Sequence, residues 1–206
     1  MQPIHTKNRV IGLLGGSFNP AHGGHLHITL YALRNLGFDE VWWLVTPRNP
    51  LKSGADLAAY EKRLALAREV AAHHPRIRVL DVEAQHKLRY SYQTVRFLQQ
   101  HYPGTHFVWM MGADNLAQFH RWRRWQQILA DLPVVVFDRA PYSHMSLRHK
   151  TFLKMHKFRL KNMDIRWPKA APSLIFIHLK RDPHSSTHLR KTLGKRAFLG
   201  HNKTAG

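Results

Sequence analysis

The chain has 206 residues, with 32 Lys and Arg against 12 Asp and Glu, a formal net charge of +20, 17 His and a pI near 11.0. The lack of Cys excludes disulfides, cysteine-ligated zinc, iron–sulfur clusters and thiol nucleophiles, and makes a reducing compartment, the cytoplasm, the expected location. A hydrophobic share of 44% with 11 Pro and 12 Gly excludes disordered and collagen-like chains; no apolar run is long enough to span a membrane, and one domain over residues 1–206 is expected.

The first apolar run, 9–14, ends at Gly15-Gly16 and reads as a buried parallel strand. Leu26, Leu30 and Leu33 stand at helical spacing, so 24–36 reads as a helix stopped by Gly37, and 40–46 as the second strand. Further on, 58–73 reads as a helix, 77–80 as a strand, 91–101 as a helix and 106–111 as a strand. A helix at 122–130, strands at 133–137 and 174–179, and a C-terminal helix at 186–193 complete the series. This alternation predicts a Rossmann-like, doubly wound parallel α/β sheet with a C-terminal helical segment and ligands at the carboxyl ends of the strands. The stretch 141–172 breaks the rhythm. Its Arg148, Lys150, Lys154, Lys157, Arg159 and Lys161 read as the solvated face of a connecting segment, with phosphate, RNA or membrane contact as the alternatives.

The most specific string runs from Gly15 to His25, GGSFNPAHGGH, where the first strand gives way to the first helix. Such a turn offers backbone N–H groups and the positive end of a helix dipole to an anion. His22 and His25, three residues apart, share one helix face, so both rings can donate to a single phosphate group. A capped turn with incidental histidines and a zinc pair are the competing readings, and the zinc pair lacks a third ligand at recognisable spacing. Near the C-terminus, Ser185, Ser186 and Thr187 with Arg190 one turn later read as a second phosphate-binding helix start or as a plain cap.

The first string matches G-G-x-F-[DN]-P-x-H-x-G-H, and 184–190 is similar to I-S-S-T-x-[IV]-[RK], with His184 in place of the usual Ile. On these motifs the chain resembles the H-x-G-H nucleotidyltransferase superfamily. Asn49-Pro50-Leu51-Lys52, Tyr90-Ser91-Tyr92-Gln93-Thr94, and Gly112-Ala113-Asp114-Asn115-Leu116 followed by Phe119 and Trp122 extend the resemblance to the bacterial nicotinate-nucleotide adenylyltransferase family. The resemblance implies adenylyl transfer from ATP to nicotinate mononucleotide, giving deamido-NAD and pyrophosphate, a step of NAD biosynthesis. It implies catalysis by His22 and His25. ATP would be bound by Gly15, Gly16, Ser17, Phe18, Lys52, Ser185, Ser186, Thr187 and Arg190. Ser91, Asp114 and Trp122 would bind the mononucleotide, with Trp125 competing with Trp122 for the stacking role. Mg²⁺ would be carried mainly by the ATP phosphates, with no metal site in the protein. The same chemistry on nicotinamide mononucleotide or another phosphate is the nearest alternative. An RNA-binding protein using Arg121, Arg123, Arg124 and the basic stretch is the more distant one. ATP and nicotinate mononucleotide are thus the expected partners, without membrane or nucleic acid, and the oligomeric state stays open.

Overall fold

In the computed structural model, residues 7–48, 57–139, 167 and 170–179 are described. The elements in chain order are β1 (Val10–Gly16), α1 (Gly23–Asn35), β2 (Glu40–Val45), α2 (Tyr60–Ala71), β3 (Ile77–Leu80) and α3 (Val82–Gln85). They continue with α4 (Ser91–His101), β4 (His106–Gly112), α5 (Ala113–Phe119), α6 (Trp125–Asp131), β5 (Val134–Arg139) and β6 (Leu174–Leu179). Every strand pairing is parallel, and the order across the sheet is β3-β2-β1-β4-β5-β6.

Because side chains alternate along a strand, one sheet feeds two cores. Ile11, Leu13, Trp42, Leu44, Phe107 and Trp109 face a layer containing Leu98 of α4, Phe119 of α5 and Ile128 of α6. Val10, Leu14, Val41, Trp43, Val108 and Met110 face a layer containing Ile28 and Ala32 of α1 and Leu64 and Ala67 of α2. Strands covered on both sides must be apolar throughout, which explains why EVWWLV is buried at all six positions of β2. Glu40, at its start, is held by Arg9 (3.0 Å), Arg78 (2.7 Å) and the Trp42 indole (2.8 Å). Burial pushes the Glu40 carboxyl up, but the Arg78 and Trp42 bonds and the nearby guanidinium charges outweigh it and leave the carboxyl below its ordinary range.

The chain moves outward from β1 through β2 to β3, then crosses back to pair β4 with the other edge of β1. This reversal opens a crevice beyond the carboxyl ends of β1 and β4, the place where an open parallel sheet accepts ligands. Three short elements differ from the sequence expectation. Helices α3 and α5 stand where no helix was expected, and α6 begins at Trp125 rather than at residue 122. The delay arises at Arg124, whose φ of 52° is left-handed and interrupts any helix running through it. Among the described residues, no helix is long and apolar enough to cross a membrane. The expected helix at 186–193 and most of the 141–172 stretch lie outside the described residues.

Candidate active site

The turn leaving β1 enters α1 through His22, whose extended backbone (φ −155°, ψ 170°) makes it the helix cap. Its Nδ1 accepts the Gly24 N–H at 3.0 Å, and the His25 Nδ1 accepts the His22 N–H at 3.3 Å. The two histidines therefore form a reciprocal capping box, a part usually played by Ser or Thr with Glu or Gln. A ring nitrogen that accepts carries no proton, so each neutral imidazole holds its proton on Nε2, the donor at the far end of the ring. The ring centroids lie 4.0 Å apart. The sequence expectation of a shared face holds, but one backbone donor that was expected to meet an anion is occupied by His22 itself. What the helix start presents is a pair of imidazole donors in a defined tautomer.

Phe18 fixes His25 from the other side. Its backbone is left-handed (φ 46°), and its buried ring lies 4.6 Å from the His25 ring and 5.1 Å from the Trp43 ring. Beside it, the Ser17 hydroxyl is buried with no hydrogen-bond partner among the described residues. Gly15 is required by close approach. A Cβ there would stand 3.0 and 3.1 Å from the Trp109 ring, which is buried and has little room to yield. Gly15→Ala is expected to destabilise the fold by about 1 to 3 kcal/mol through overpacking, checked by urea unfolding; a stability equal to wild type would contradict the contact.

Two buried charges beneath this turn were not anticipated. Arg63, on α2, is 1% exposed. Its guanidinium donates to four backbone carbonyls: Ala58 (2.9 Å), Ser17, Thr46 (2.9 Å) and Pro47 (2.7 Å). One side chain thereby joins the turn after β1, the exit of β2 and the approach to α2. Burial pulls the guanidinium below its ordinary value. The sequence held a signal for it, since Arg63 shares the buried stripe of α2 with Leu64, Ala67 and Ala71. Glu83 of α3 is the second. It is 5% exposed, and burial pushes its carboxyl up to about 7 against the hydrogen bonds of Thr94 and Thr46.

The start of α4 and the turn at 120–124 follow β3 and β4 in the chain, on the carboxyl side of the sheet. Gln93 reaches back to accept the backbone N–H groups of Arg89 (3.1 Å) and Tyr90 (3.0 Å) and so performs the side-chain capping. The Arg123 guanidinium lies over the Tyr90 ring at 5.2 Å and that of Arg124 over Tyr92 at 5.1 Å, which joins this turn to the residues on either side of Ser91. Trp122 is partly buried, edge-on to Trp109 (6.1 Å) and Phe119 (5.2 Å), whereas Trp125 is buried within the core. Asp114 is exposed and lies in the first turn of α5, two residues beyond the end of β4. Among the described residues, no group of three His, Cys, Asp or Glu is placed to hold a metal ion. Lys52, Ser185, Ser186, Thr187 and Arg190 lie outside the described residues.

A family model described as cytidylyltransferase-like matches residues 13–192. A protein of Erythrobacter litoralis named a probable nicotinate-nucleotide adenylyltransferase is 45% identical over 182 residues, spanning 87% of this chain and 83% of that protein. The chain belongs to the nicotinate-nucleotide adenylyltransferase family. It is therefore a nucleotidyltransferase enzyme, as its motifs led us to expect. Within the family, a Brucella suis protein of the same name is 42% identical over 91% of this chain and 97% of that protein. The fold is that of the Plasmodium falciparum nicotinic acid mononucleotide adenylyltransferase solved with NaAD, at a TM-score of 0.66 and 17% identity over 90% of this chain and 84% of that one.

Proposed function

We propose that this chain transfers the adenylyl group of ATP to nicotinate mononucleotide, releasing pyrophosphate and forming deamido-NAD. The observation that carries the reading is the His22–His25 capping box, which sets two imidazole donors at the switch point of a sheet whose family relatives bear that activity in their names. A phosphate oxygen of the mononucleotide attacks the α-phosphorus of ATP. The new P–O bond forms as the bond from the α-phosphorus to the bridging oxygen breaks, and that oxygen leaves with its electron pair on pyrophosphate. Phosphate is already anionic at neutral pH, so the protein supplies position and charge stabilisation rather than a strong base. In the proposal, His22 and His25 donate to the α-phosphoryl oxygens, and the turn from Gly15 through Ser17 to Phe18 carries the same end of ATP. In the proposal, Lys52, Ser185, Ser186, Thr187 and Arg190 hold the pyrophosphate end. ATP enters as its Mg²⁺ complex, the metal being part of the substrate.

On the acceptor side, we assign the pyridine ring to Trp122 and its carboxylate to the backbone at Ser91, with Asp114 toward the ribose. The partial exposure of Trp122, set against the burial of Trp125, favours it as the stacking residue. Trp122→Ala is expected to weaken nicotinate mononucleotide by about 5- to 30-fold, the loss of a cation–π and stacking contact of about 1 to 2 kcal/mol, while ATP affinity stays near wild type. Calorimetric titration of both substrates measures this, and turnover of nicotinate and nicotinamide mononucleotides side by side tests the acceptor itself. Faster turnover of the amide would refute the acceptor assignment.

A further inference from the structure

Among the described residues, three carboxyl groups are buried: Glu40, Glu83 and Asp138. Glu40 is paired with Arg9 and Arg78, and Asp138 meets His178 at 3.0 Å. No cation pairs with Glu83 among the described residues. Its hydrogen-bond partners are two hydroxyl groups, that of Thr94 in the first turn of α4, at 3.0 Å, and that of Thr46 at the exit of β2. A buried carboxyl left this way costs stability that an apolar side chain of the same size would not, so its use must lie in what it holds.

What it holds is legible from its partners. Thr94 lies three residues beyond Ser91 on α4, and its backbone N–H donates to the Tyr90 carbonyl at 3.3 Å. Thr46 donates its own N–H to the Gly16 carbonyl at 2.9 Å and accepts from Arg63 at 2.9 Å. Glu83 therefore stands between the helix start assigned to the acceptor and a strand end hydrogen-bonded to the phosphate turn. We infer that Glu83 is a positioning residue, setting the distance between the acceptor-binding turn at 90–92 and the phosphate turn at 15–18 through Thr94 and Thr46. The inference rests on the nicotinate reading given above.

The test varies both substrates in steady-state kinetics for Glu83→Ala, Glu83→Gln, Thr94→Val, the double variant Glu83→Ala/Thr94→Val, and Trp122→Ala. Glu83→Ala and Thr94→Val are each expected to raise KM for nicotinate mononucleotide about tenfold, with KM for ATP within about twofold of wild type, the size of one lost hydrogen bond to a charged group. The double variant is expected to match the worse single one within about twofold, because both changes break the same link. Glu83→Gln keeps an acceptor oxygen of the same reach and should recover most of the loss. Should Glu83→Ala fail to fold, Thr94→Val and Glu83→Gln still decide the matter. Equal rises in both KM values, independent multiplicative losses, or a Gln variant as impaired as the Ala variant would overturn the inference. If Trp122→Ala raises the acceptor KM and Thr94→Val does not, only this inference fails; if neither moves it, the nicotinate reading fails with it.

Discussion

His25→Ala is expected to fold and to lose about 10² to 10³ in kcat, the usual cost of removing one donor from developing charge in a transition state. The expectation follows from the tautomer. With Nδ1 occupied by the His22 N–H, the proposed contact of His25 with a phosphoryl oxygen runs through Nε2, and alanine removes that donor altogether. It also removes half of the capping box, so part of the loss would come from a looser His22. His25→Gln separates the two effects, because glutamine at this third helical position is an ordinary capping-box partner and can accept the His22 N–H. The Gln variant should melt near wild type and still turn over slowly. Measurements of kcat together with thermal melting decide it: a folded Ala or Gln variant with kcat within about threefold of wild type would remove His25 from the chemistry.

The second large effect is one of stability. Arg63→Met keeps an unbranched stem that packs in the buried stripe of α2, but ends short of the guanidinium and leaves the carbonyls of Ser17, Thr46, Pro47 and Ala58 without their donor. Hydrogen bonds to a charged group contribute roughly 1.5 to 3 kcal/mol each and are not additive, so a loss of about 3 to 5 kcal/mol is expected. That is a large fraction of the roughly 5 to 15 kcal/mol that keeps a domain folded. Arg63→Lys retains the charge with three donors on a single nitrogen instead of a planar fork, and should restore less than half of the loss. Urea unfolding of both variants measures the difference. An Arg63→Met protein within about 1 kcal/mol of wild type would show that solvent satisfies the four carbonyls and that the guanidinium does not tie the loops together.

Local patterning was enough wherever an element is long, apolar on the expected period and bounded by a turn. The sequence reading of β3, α4 and β6 coincides with the observed bounds, and that of α1 differs by one residue at each end. It failed at α5, seven residues long, whose cap Gly112 makes no side-chain bond and whose Asp114 is as much at home in a turn as in a first helical turn. It also failed at the start of α6, where the left-handed Arg124 leaves no mark in the composition.

For the site, the amino-acid sequence by itself determined that two imidazoles share the entrance of the first helix, because that depends only on a spacing of three residues. It did not determine which ring nitrogen carries the proton, since this follows from the backbone donors the folded turn places against each Nδ1. Nor did it separate Trp122 from Trp125, three residues apart, until packing buried one and left the other partly open. Arg63 and Glu83 show the limit most plainly. In the sequence Glu83 is one more charged residue on a highly charged chain, and Arg63 is marked only by its place on the stripe of Leu64, Ala67 and Ala71. Arg63 gains its role from carbonyls up to 46 residues away, and Glu83 from a hydroxyl 11 residues on and another at the exit of the neighbouring strand β2. A long charged side chain is stable in water or in a buried shell of matched partners, and only the approach of segments distant in the chain decides between the two.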